Sequence, residues 1–292
     1  MSERRKPVLT TTKTCRLLSV ALSTTAALAM SSRVAVVTGA NKGVGFHIAE
    51  QLIASRNFGT VILACRDPGR GRAAAEQLGG TFMPLDISEP ASVEAFAGAV
   101  RAEHGRLDTL VNNAAIAFKG SDPTPFAEQT GPTLRANFYG TCAVTEALLP
   151  LLREGASPRV VMVASMAGQL AQVAPPWQER FADERATLAS VKECVGAFAR
   201  AVAAGTHRQD GWGNSNYGLS KLAVIAATRV FARENPGVLV NACCPGYCDT
   251  DMSSHRGPRP PAEGAANAVM LVDLPDGGPS GGFYQNMRMS KW

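Results

Sequence analysis

Tyr217 and Lys221 lie four positions apart in the segment "NYGLSK". If this segment is helical, both side chains lie on one face, close enough for the ammonium to act on the phenol. A free phenol has a pKa of about 10, and a nearby positive charge lowers it. A shift of about three units corresponds to about 4 kcal/mol of electrostatic preference. The pair alone is also typical of a solvated helix surface, but in a cleft it predicts a tyrosine that exchanges a proton with a substrate.

A second chemical signal is the glycine-rich stretch "TGANKGVG", residues 38–45, which follows the apolar run 33–38 and opens an amphipathic helix. Gly39, Gly43 and Gly45 remove the side chains that would keep a ligand from the backbone, and glycine also allows unusual turn dihedrals. Backbone N–H groups at a helix N-terminus attract phosphate. The position of the stretch therefore indicates a seat for the diphosphate of a dinucleotide.

The elements that must position these residues alternate between strand and helix. Continuous apolar runs are typical of a sheet covered on both faces, and short links to helices indicate parallel strands. We expect an α/β fold, a doubly wound parallel sheet of the Rossmann type, as a single domain with a helical insertion before Tyr217. The strands are expected at 33–38, 60–64, 81–85, 107–111, 160–164, 238–243 and 282–285. The helices are expected at 43–52, 71–78, 91–104, 132–152 and 217–234.

Further motifs follow in order along the chain. They are Asn112-Asn113-Ala114-Ala115 after the fourth strand, Asn137 in "LRANFYGT", Ser165 after the fifth strand, and Pro245-Gly246 with Thr250 after the sixth. With the spacing T-G-x-x-x-G-x-G and Y-x-x-x-K, the chain resembles the short-chain dehydrogenase/reductase family over nearly all of residues 33–292. The stretches "GANKGVGF", "NNAAIAFKGSDPTPF" and "NACCPGYCDTDM" resemble its monomeric NADPH-dependent carbonyl reductases most.

The resemblance implies four catalytic residues: Ser165, Tyr217, Lys221 and Asn137. Ser165 would hold a carbonyl oxygen by a hydrogen bond that strengthens as charge develops. Tyr217 would donate the proton, and Lys221 would lower the Tyr217 pKa and bind the nicotinamide ribose. Asn137 would support a water that links Lys221 to solvent. A serine-hydrolase interpretation fails because "VASMAG" lacks the first glycine of G-x-S-x-G.

The expected cofactor is NADPH. The second strand ends in Ala64-Cys65-Arg66 with no acid at its tip, and Arg66 and Lys42 could meet a 2′-phosphate, although Asp67 argues against this. Asp86 resembles the acid that contacts the adenine amino group in relatives, and it could instead cap the following helix. The expected cofactor-binding residues are Gly39, Asn41, Lys42, Gly43, Val44, Gly45, Arg66, Asp86, Ile87, Asn113, Tyr217, Lys221, Pro245, Gly246 and Thr250.

The expected substrate-binding residues are Ser165, Tyr217, Tyr247 and Met252. The insertion, residues 166–216, contains a segment at 178–204 that reads as one or two helices, and with Trp212 it should wall an apolar pocket. In the resembling enzymes such an insertion covers the surface used for oligomerisation, so a monomer is expected. Three positions depart from the family pattern: Ala115 replaces glycine, Tyr247 replaces tryptophan and Asp249 replaces arginine.

The resemblance implies reduction of aldehydes, ketones or quinones to alcohols. An alternative is an NADP-dependent dehydrogenase or reductase specific for a terpenoid, steroid or alkaloid. A third hypothesis is that the protein is not an enzyme but a non-catalytic NADPH sensor. The presence of Tyr217 and Lys221 disfavours this hypothesis.

The charge distribution and the cysteine content limit the partners and the location that we expect. Residues 1–30 hold five cationic residues and one acid and so carry +4 of the net charge of +5, which leaves a nearly neutral body and argues against nucleic acid. No apolar stretch is long enough to span a membrane, and the cysteine spacing does not favour a metal site. Scattered cysteines favour a reducing, cytoplasmic location.

Residues 1–30 are interpreted as an extension, which could be disordered, inert, a plastid or mitochondrial transit peptide, or a secretory signal. The reductase domain is expected over 31–292.

Overall fold

A computed structural model describes residues 33–292 of the chain. The interpretations of residues 1–30 fall outside this part. Among the described helices, none combines the length and apolar character that a membrane crossing needs.

One eight-stranded sheet forms the centre of the described chain, in the order β3-β2-β1-β4-β5-β6-β7-β8. Strands β1 to β7 pair in parallel, and β8 runs antiparallel to β7. The order turns back at β1, so β1 and β4 lie side by side at the switch point where such sheets bind ligands. The expected doubly wound sheet is confirmed, with an antiparallel β8 that the sequence did not predict. The strands are β1 Val34–Thr38, β2 Thr60–Cys65, β3 Thr81–Pro84, β4 Thr109–Asn112, β5 Arg159–Val163, β6 Leu239–Cys244, β7 Phe283–Gln285 and β8 Arg288–Met289.

Helices cover both faces of the sheet, which explains why the strands are continuous apolar runs. The core on one face includes Ile48 from the first helix and Leu271 from the last, and the core on the other includes Phe96 and Leu222. The helices are α1 Gly43–Ser55, α2 Pro68–Leu78, α3 Pro90–His104, α4 Phe126–Leu134, α5 Thr141–Arg153, α6 Pro175–Ala182, α7 Leu188–Ala203, α8 Asn216–Glu234 and α9 Pro261–Val272.

The single helix expected at 132–152 is instead interrupted. Helix α4 passes into a π turn, Arg135–Gly140, before α5 begins. Hydrogen bonds of the buried Asn137 side chain contribute to this interruption of the helix. Its Nδ2 donates to Ile116 O at 2.9 Å, and its Oδ1 accepts from Ile116 N at 2.8 Å. Gly140 lies so close to the chain at Ile87 that an added Cβ would be 2.3 Å from Ile87 O. Such π turns are rare and frequently mark functional sites.

The helical segment expected at 178–204 forms two helices, α6 and α7. Helix α7 begins with a capping box in which Thr187 and Ser190 bind each other's backbone N–H. It buries Val191, Val195 and Phe198 against the helices that carry the site. Helix α9 was not predicted, because its small residues give weak periodicity, although Pro261 at its first position is a common start signal.

A buried carboxylate ties together the edge of the sheet opposite the ligand side. Asp108 is fully buried and accepts hydrogen bonds from Val34 N and Ala156 N, each at 2.9 Å. Arg106 pairs with the same carboxylate, with Nη2 at 2.5 Å from Oδ1. Asp108 therefore joins the start of β1 to the loop before β5, and every acceptor position that it offers has a donor nearby.

Candidate active site

The three side chains expected to do chemistry converge at the carboxyl end of β5. Ser165 follows β5 and begins a short 3-10 turn, Met166–Gly168. Tyr217 lies in the first turn of α8, which Ser215 caps by accepting a hydrogen bond from Gly218 N at 2.8 Å. Lys221 lies one turn further along α8, and its Nζ donates to Val163 O at 2.7 Å and lies 5.6 Å from the centre of the Tyr217 ring.

Burial dominates the electrostatics of this cluster. Burial raises the pKa of Tyr217 to about 12, and the nearby Ser165 hydroxyl opposes this only in part. Burial also lowers the pKa of Lys221 to about 8. Because desolvation is the largest effect, the pKa of Tyr217 in the chain alone lies above the free value, and the effect of Lys221 on this pKa stays a prediction. Near neutral pH, Tyr217 is protonated and Lys221 largely charged, which are the states that a proton donor and its stabilising cation require.

The Cys244 thiol connects the two loops that flank the cluster. Its Sγ accepts hydrogen bonds from Met166 N and from Gly246 N, both at 3.3 Å. The loop after β5 and the loop after β6 are therefore tied to the same buried sulfur at the end of β6.

Asn137 lies in the π turn beside the cluster, and its amide is engaged by protein groups. Besides its two bonds to Ile116, its Nδ2 donates to Ser220 Oγ at 3.1 Å. Both amide hydrogens thus have acceptors in the protein, so Asn137 links the loop after β4 to α8. Its support of a water relay to Lys221 stays a prediction.

The structure requires the glycines of the glycine-rich turn for two reasons, which are backbone conformation and close packing. Gly39 and Gly43 have φ angles of +66° and +58°, in the left-handed region that favours glycine. An added Cβ at Gly45 would lie 2.3 Å from Asn113 Nδ2 and 2.5 Å from Gly39 O. Asn113 also donates to Thr38 O at 2.9 Å, so it fastens this turn to the end of β4. The glycines therefore serve close packing of the turn as well as approach by a ligand.

A cavity of about 570 Å³ extends from this turn to Tyr217 and Lys221. Its volume suits a ligand of substantial size. The N-terminus of α1 opens into it with no acid in the first turn and no side-chain cap, so its N–H groups are free to bind an anion. The residues present therefore fit a dinucleotide. Those predicted for the cofactor that line the cavity are Gly39, Asn41, Lys42, Gly43, Val44, Gly45, Arg66, Asp86, Ile87, Asn113, Tyr217, Lys221, Pro245 and Thr250.

Four predicted residues do not line this cavity: Ser165, Asn137, Gly246 and Tyr247. Gly246 has a φ of +86°, in the left-handed region that favours glycine, so the backbone conformation requires glycine at this position. Tyr247 is 57% exposed, whereas Met252 is 43% exposed and does line the cavity. The substrate roles of Ser165, Tyr247 and Met252 stay predictions.

Trp212 does not wall the cavity as expected. It is buried, stacks on Trp177 with ring centres 3.9 Å apart, and meets Phe198 edge to face. The indole therefore packs within the insertion, against α6 through Trp177 and against α7 through Phe198.

The cationic end of the cavity contains Arg70, which the sequence motifs did not indicate. Arg66 is exposed and lines the cavity, and so does Arg70 on the first turns of α2. The Asp67 carboxylate caps α2 by accepting from Arg70 N at 2.9 Å and pairs with the Arg70 guanidinium at 2.7 Å. Asp67 is therefore occupied by its own helix and leaves Arg66 as a cation at the strand tip. The spacing D-P-x-R, with proline at the first helical position, could have indicated this capped turn.

Lys42 forms an ion pair within the chain, and its contact with a 2′-phosphate stays a prediction. Its Nζ pairs with Asp251 at 2.5 Å, and Asp251 in turn binds His255 Nε2 at 3.1 Å. His255 Nδ1 also meets Asp249 at 2.7 Å, and hydrogen bonds to Asp249 and Asp251 raise the pKa of His255. A chain of charges thus joins the glycine-rich turn to the segment after β6 across the cavity mouth.

The two interpretations of Asp86 can now be separated. Its Oδ1 accepts from Ser88 N at 2.9 Å and from Ser88 Oγ at 2.6 Å, whereas the N-cap of α3 is Glu89. Burial acts to raise the Asp86 pKa, but these bonds and Arg66 together lower it. Asp86 is therefore an ionised carboxylate held in the cavity wall, and the helix-cap interpretation is wrong.

The fold and the cavity together define a dinucleotide-binding α/β protein of the Rossmann type. The family model for short chain dehydrogenase matches residues 33–176 and 201–260. The chain belongs to the short chain dehydrogenase family.

Three relatives show how far the likeness extends. The chain is 40% identical over 281 residues to carbonyl reductase (NADPH) 1 of Sus scrofa, which covers 91% of this chain and 96% of that protein. It is 43% identical over 258 residues to carbonyl reductase (NADPH) 3 of Rattus norvegicus, covering 84% and 92%. The structure of salutaridine reductase from Papaver somniferum aligns with a TM-score of 0.80 at 32% identity, covering 86% of this chain and 99% of that one.

Proposed function

We propose that this protein is an NADPH-dependent carbonyl reductase that converts aldehydes, ketones or quinones to alcohols. The relatives named carbonyl reductase (NADPH) 1 and 3 support the reaction and the cofactor, since they match over most of their length. The observation that carries the proposal is a protonated phenol at the end of a dinucleotide-sized cavity, where burial holds the Tyr217 pKa at about 12.

The chain's own residues supply binding, orientation and a proton. The N-terminus of α1 and the glycine-rich turn would hold the diphosphate, and Arg66 and Arg70 would meet the 2′-phosphate. When bound, a reduced nicotinamide supplies a hydride to the carbonyl carbon of the substrate. Ser165 donates a hydrogen bond to the carbonyl oxygen, and this bond strengthens as negative charge develops there.

Tyr217 completes the reaction by donating its hydroxyl proton to that oxygen. The phenolate that remains is costly in a buried place, and the Lys221 ammonium, 5.6 Å from the ring centre, stabilises it. Val163 O fixes this ammonium in position. The site therefore has a donor, a cation that supports the donor's conjugate base, and a second hydroxyl for the substrate.

A panel of carbonyl compounds tests the proposal. Oxidation of NADPH, followed by its absorbance, should accelerate with aromatic and aliphatic aldehydes, ketones and quinones, and alcohol should form in equal amount. Tight NADPH binding with no turnover on any carbonyl compound would favour a non-catalytic sensor instead.

A narrower substrate range is the second candidate. The likeness to salutaridine reductase from Papaver somniferum favours an NADP-dependent dehydrogenase or reductase specific for a terpenoid, steroid or alkaloid. Met252 lines the cavity and is exposed, so it is placed to contact such a substrate. A specificity constant at least 100-fold higher for one bulky ketone than for simple aldehydes would identify this case.

We also propose that the protein acts as a cytoplasmic monomer. The support is the packing of α6 and α7 over the helices that resembling enzymes use for association, and the six cysteines of the described chain, all unpaired thiols. Gel filtration at a dimer or tetramer mass would contradict the first part, and the location of the full chain with and without residues 1–30 tests the second.

Replacing Arg66 by aspartate should reverse the cofactor preference. An acid at the tip of β2 repels a 2′-phosphate and can bind the ribose 2′-hydroxyl of NADH. We expect the ratio of kcat/KM for NADPH over NADH to fall by about 100-fold or more, from loss of one charge-assisted contact and gain of repulsion. Arg72→Asp is the matched control on α2, since Arg72 lies against Phe82 and does not line the cavity. An unchanged ratio in Arg66→Asp would contradict this account of the phosphate site.

The rate of reduction should decline at alkaline pH. The lowered Lys221 pKa of about 8 means that the ammonium loses its proton as the pH rises through this value, and the phenolate of Tyr217 then loses its stabilising charge. We expect kcat to fall above about pH 8, whereas Lys221→Arg, whose guanidinium stays charged, should be slower but flat over this range. A wild-type profile that is level to pH 10 would disprove this role for Lys221.

A further inference from the structure

Ser165 and Tyr217 must act on the same oxygen, yet they lie on separate elements. Ser165 is on the turn after β5, and Tyr217 begins α8. The turn approaches α8 closely at Gly168, where an added Cβ would be 2.7 Å from Lys221 C and 2.8 Å from Leu222 N. This contact sets how near the turn can come to the helix.

A single carboxamide spans the two elements. Gln172 Nε2 lies 2.9 Å from Ala167 O and 3.0 Å from Gln169 O, both on the serine side. The same nitrogen lies 3.3 Å from Gly218 O, the carbonyl next to Tyr217. Two amide hydrogens are thus shared among three carbonyl oxygens. The Gln172 carboxamide thus connects Ala167, two residues after Ser165, with Gly218, one residue after Tyr217.

The local sequence makes room for this link. An added Cβ at Gly218 would lie 2.6 Å from Gln172 Oε1 and 2.9 Å from Ala167 O, so a side chain there would displace the carboxamide. Gln172 does not line the dinucleotide cavity. Its contacts are with the backbone on both sides of the catalytic pair, and none is with a reacting group.

We propose that Gln172 is a positioning residue that sets the separation of the Ser165 and Tyr217 hydroxyls. The inference rests on the proposed reductase function. A misplacement of about 1 Å at a reacting centre can cost about 100-fold in rate. Loss of the link therefore lowers kcat and leaves NADPH binding intact.

The experiment compares Gln172→Glu, Gln172→Leu and Gln178→Glu. The introduced carboxyl of Gln172→Glu has the shape of the amide but, when ionised, cannot donate to three carbonyl oxygens; when protonated it donates one hydrogen bond. Gln178 is the matched control, because its Nε2 also donates to a backbone carbonyl, Val173 O at 2.6 Å, within the insertion.

We expect kcat of Gln172→Glu to fall about 10- to 100-fold at pH 7.5 and to recover in part toward pH 5. Gln172→Leu should be slow throughout, and Gln178→Glu should follow the wild-type profile. The NADPH dissociation constant should stay within about twofold in all three, because the cavity wall is unchanged. A kcat for Gln172→Glu and Gln172→Leu equal to that of Gln178→Glu would overturn the proposal.

Amide hydrogen exchange gives a readout that does not need turnover. Exchange across 165–169 should be faster in Gln172→Leu than in Gln178→Glu, with exchange in β5 unchanged. Unchanged exchange across 165–169 would also overturn the role of Gln172. An inactive wild-type protein would instead contradict the proposed function, and the exchange result would still decide whether Gln172 holds the turn.

Discussion

Tyr217→Phe should lower kcat for carbonyl reduction by about 10²–10⁴-fold, the range that general acid catalysis contributes. The substitution removes one oxygen atom and keeps the ring, so the cavity wall and the packing of α8 are preserved. With no hydroxyl, the oxygen that gains charge must take its proton from water, which the buried site admits poorly. NADPH binding, measured by fluorescence titration, should change by no more than about twofold, because Tyr217 adds little binding energy beyond its ring.

Tyr284→Phe is the control for this result. Tyr284 is a buried tyrosine on β7, and it lies outside the cavity that contains Tyr217. Tyr284→Phe removes the same oxygen atom from a tyrosine away from the cavity, so activity should stay near the wild-type value. Near-normal turnover in Tyr217→Phe would exclude the phenol as the proton donor. An equal loss in both variants would point to a general effect on folding.

Asp108→Ala should destabilise the protein by about 3–5 kcal/mol, the cost of breaking an ion pair at a buried carboxylate and leaving its hydrogen-bond donors without an acceptor. Val34 N, Ala156 N and the Arg106 guanidinium all lose their acceptor. For a chain of this size the melting temperature should fall by roughly 10 °C. Urea denaturation should show a lower midpoint with an unchanged slope, because the surface exposed on unfolding stays the same.

Glu193→Ala is the matched comparison. Glu193 also forms an ion pair, with Arg180 at 2.9 Å, but its side chain is 63% exposed. Exposed pairs contribute about 0–1 kcal/mol, so the midpoint should hardly move. A destabilisation by Asp108→Ala as small as that of Glu193→Ala would show that water replaces the lost acceptor.

The fold and much of the cavity were predictable because their signals are local. Apolar runs predicted the first seven strands, and the position of the glycines between β1 and α1 predicted the anion-binding turn. The Y-x-x-x-K spacing predicted that Tyr217 and Lys221 share a face of α8. Each of these inferences depends on residues within a few positions of one another.

The remaining features depend on contacts between distant parts of the chain. Lys42 pairs with Asp251, more than 200 residues away, so its pairing cannot be read from its neighbours. Lys221 is buried and bound to Val163 O, and burial raises the pKa of Tyr217, so the electrostatics of this pair depend on the surrounding fold. The π turn follows from Asn137 bonding to Ile116 across a gap of 21 positions. Charge balance and backbone irregularity at the site are therefore tertiary properties.

The placement of the aromatic pair in the insertion has an optical consequence. The chain has three tryptophans: Trp177 and Trp212, which stack on each other, and Trp292, whose ring lies 5.7 Å from the Arg229 guanidinium of α8. None belongs to the half of the chain that forms β1 to β4. Tryptophan fluorescence thus monitors the packing of the insertion and of the segment around Trp292, whereas far-ultraviolet circular dichroism follows the secondary structure of the whole fold. Separate transitions in the two signals would reveal an insertion that detaches before the nucleotide-binding half unfolds.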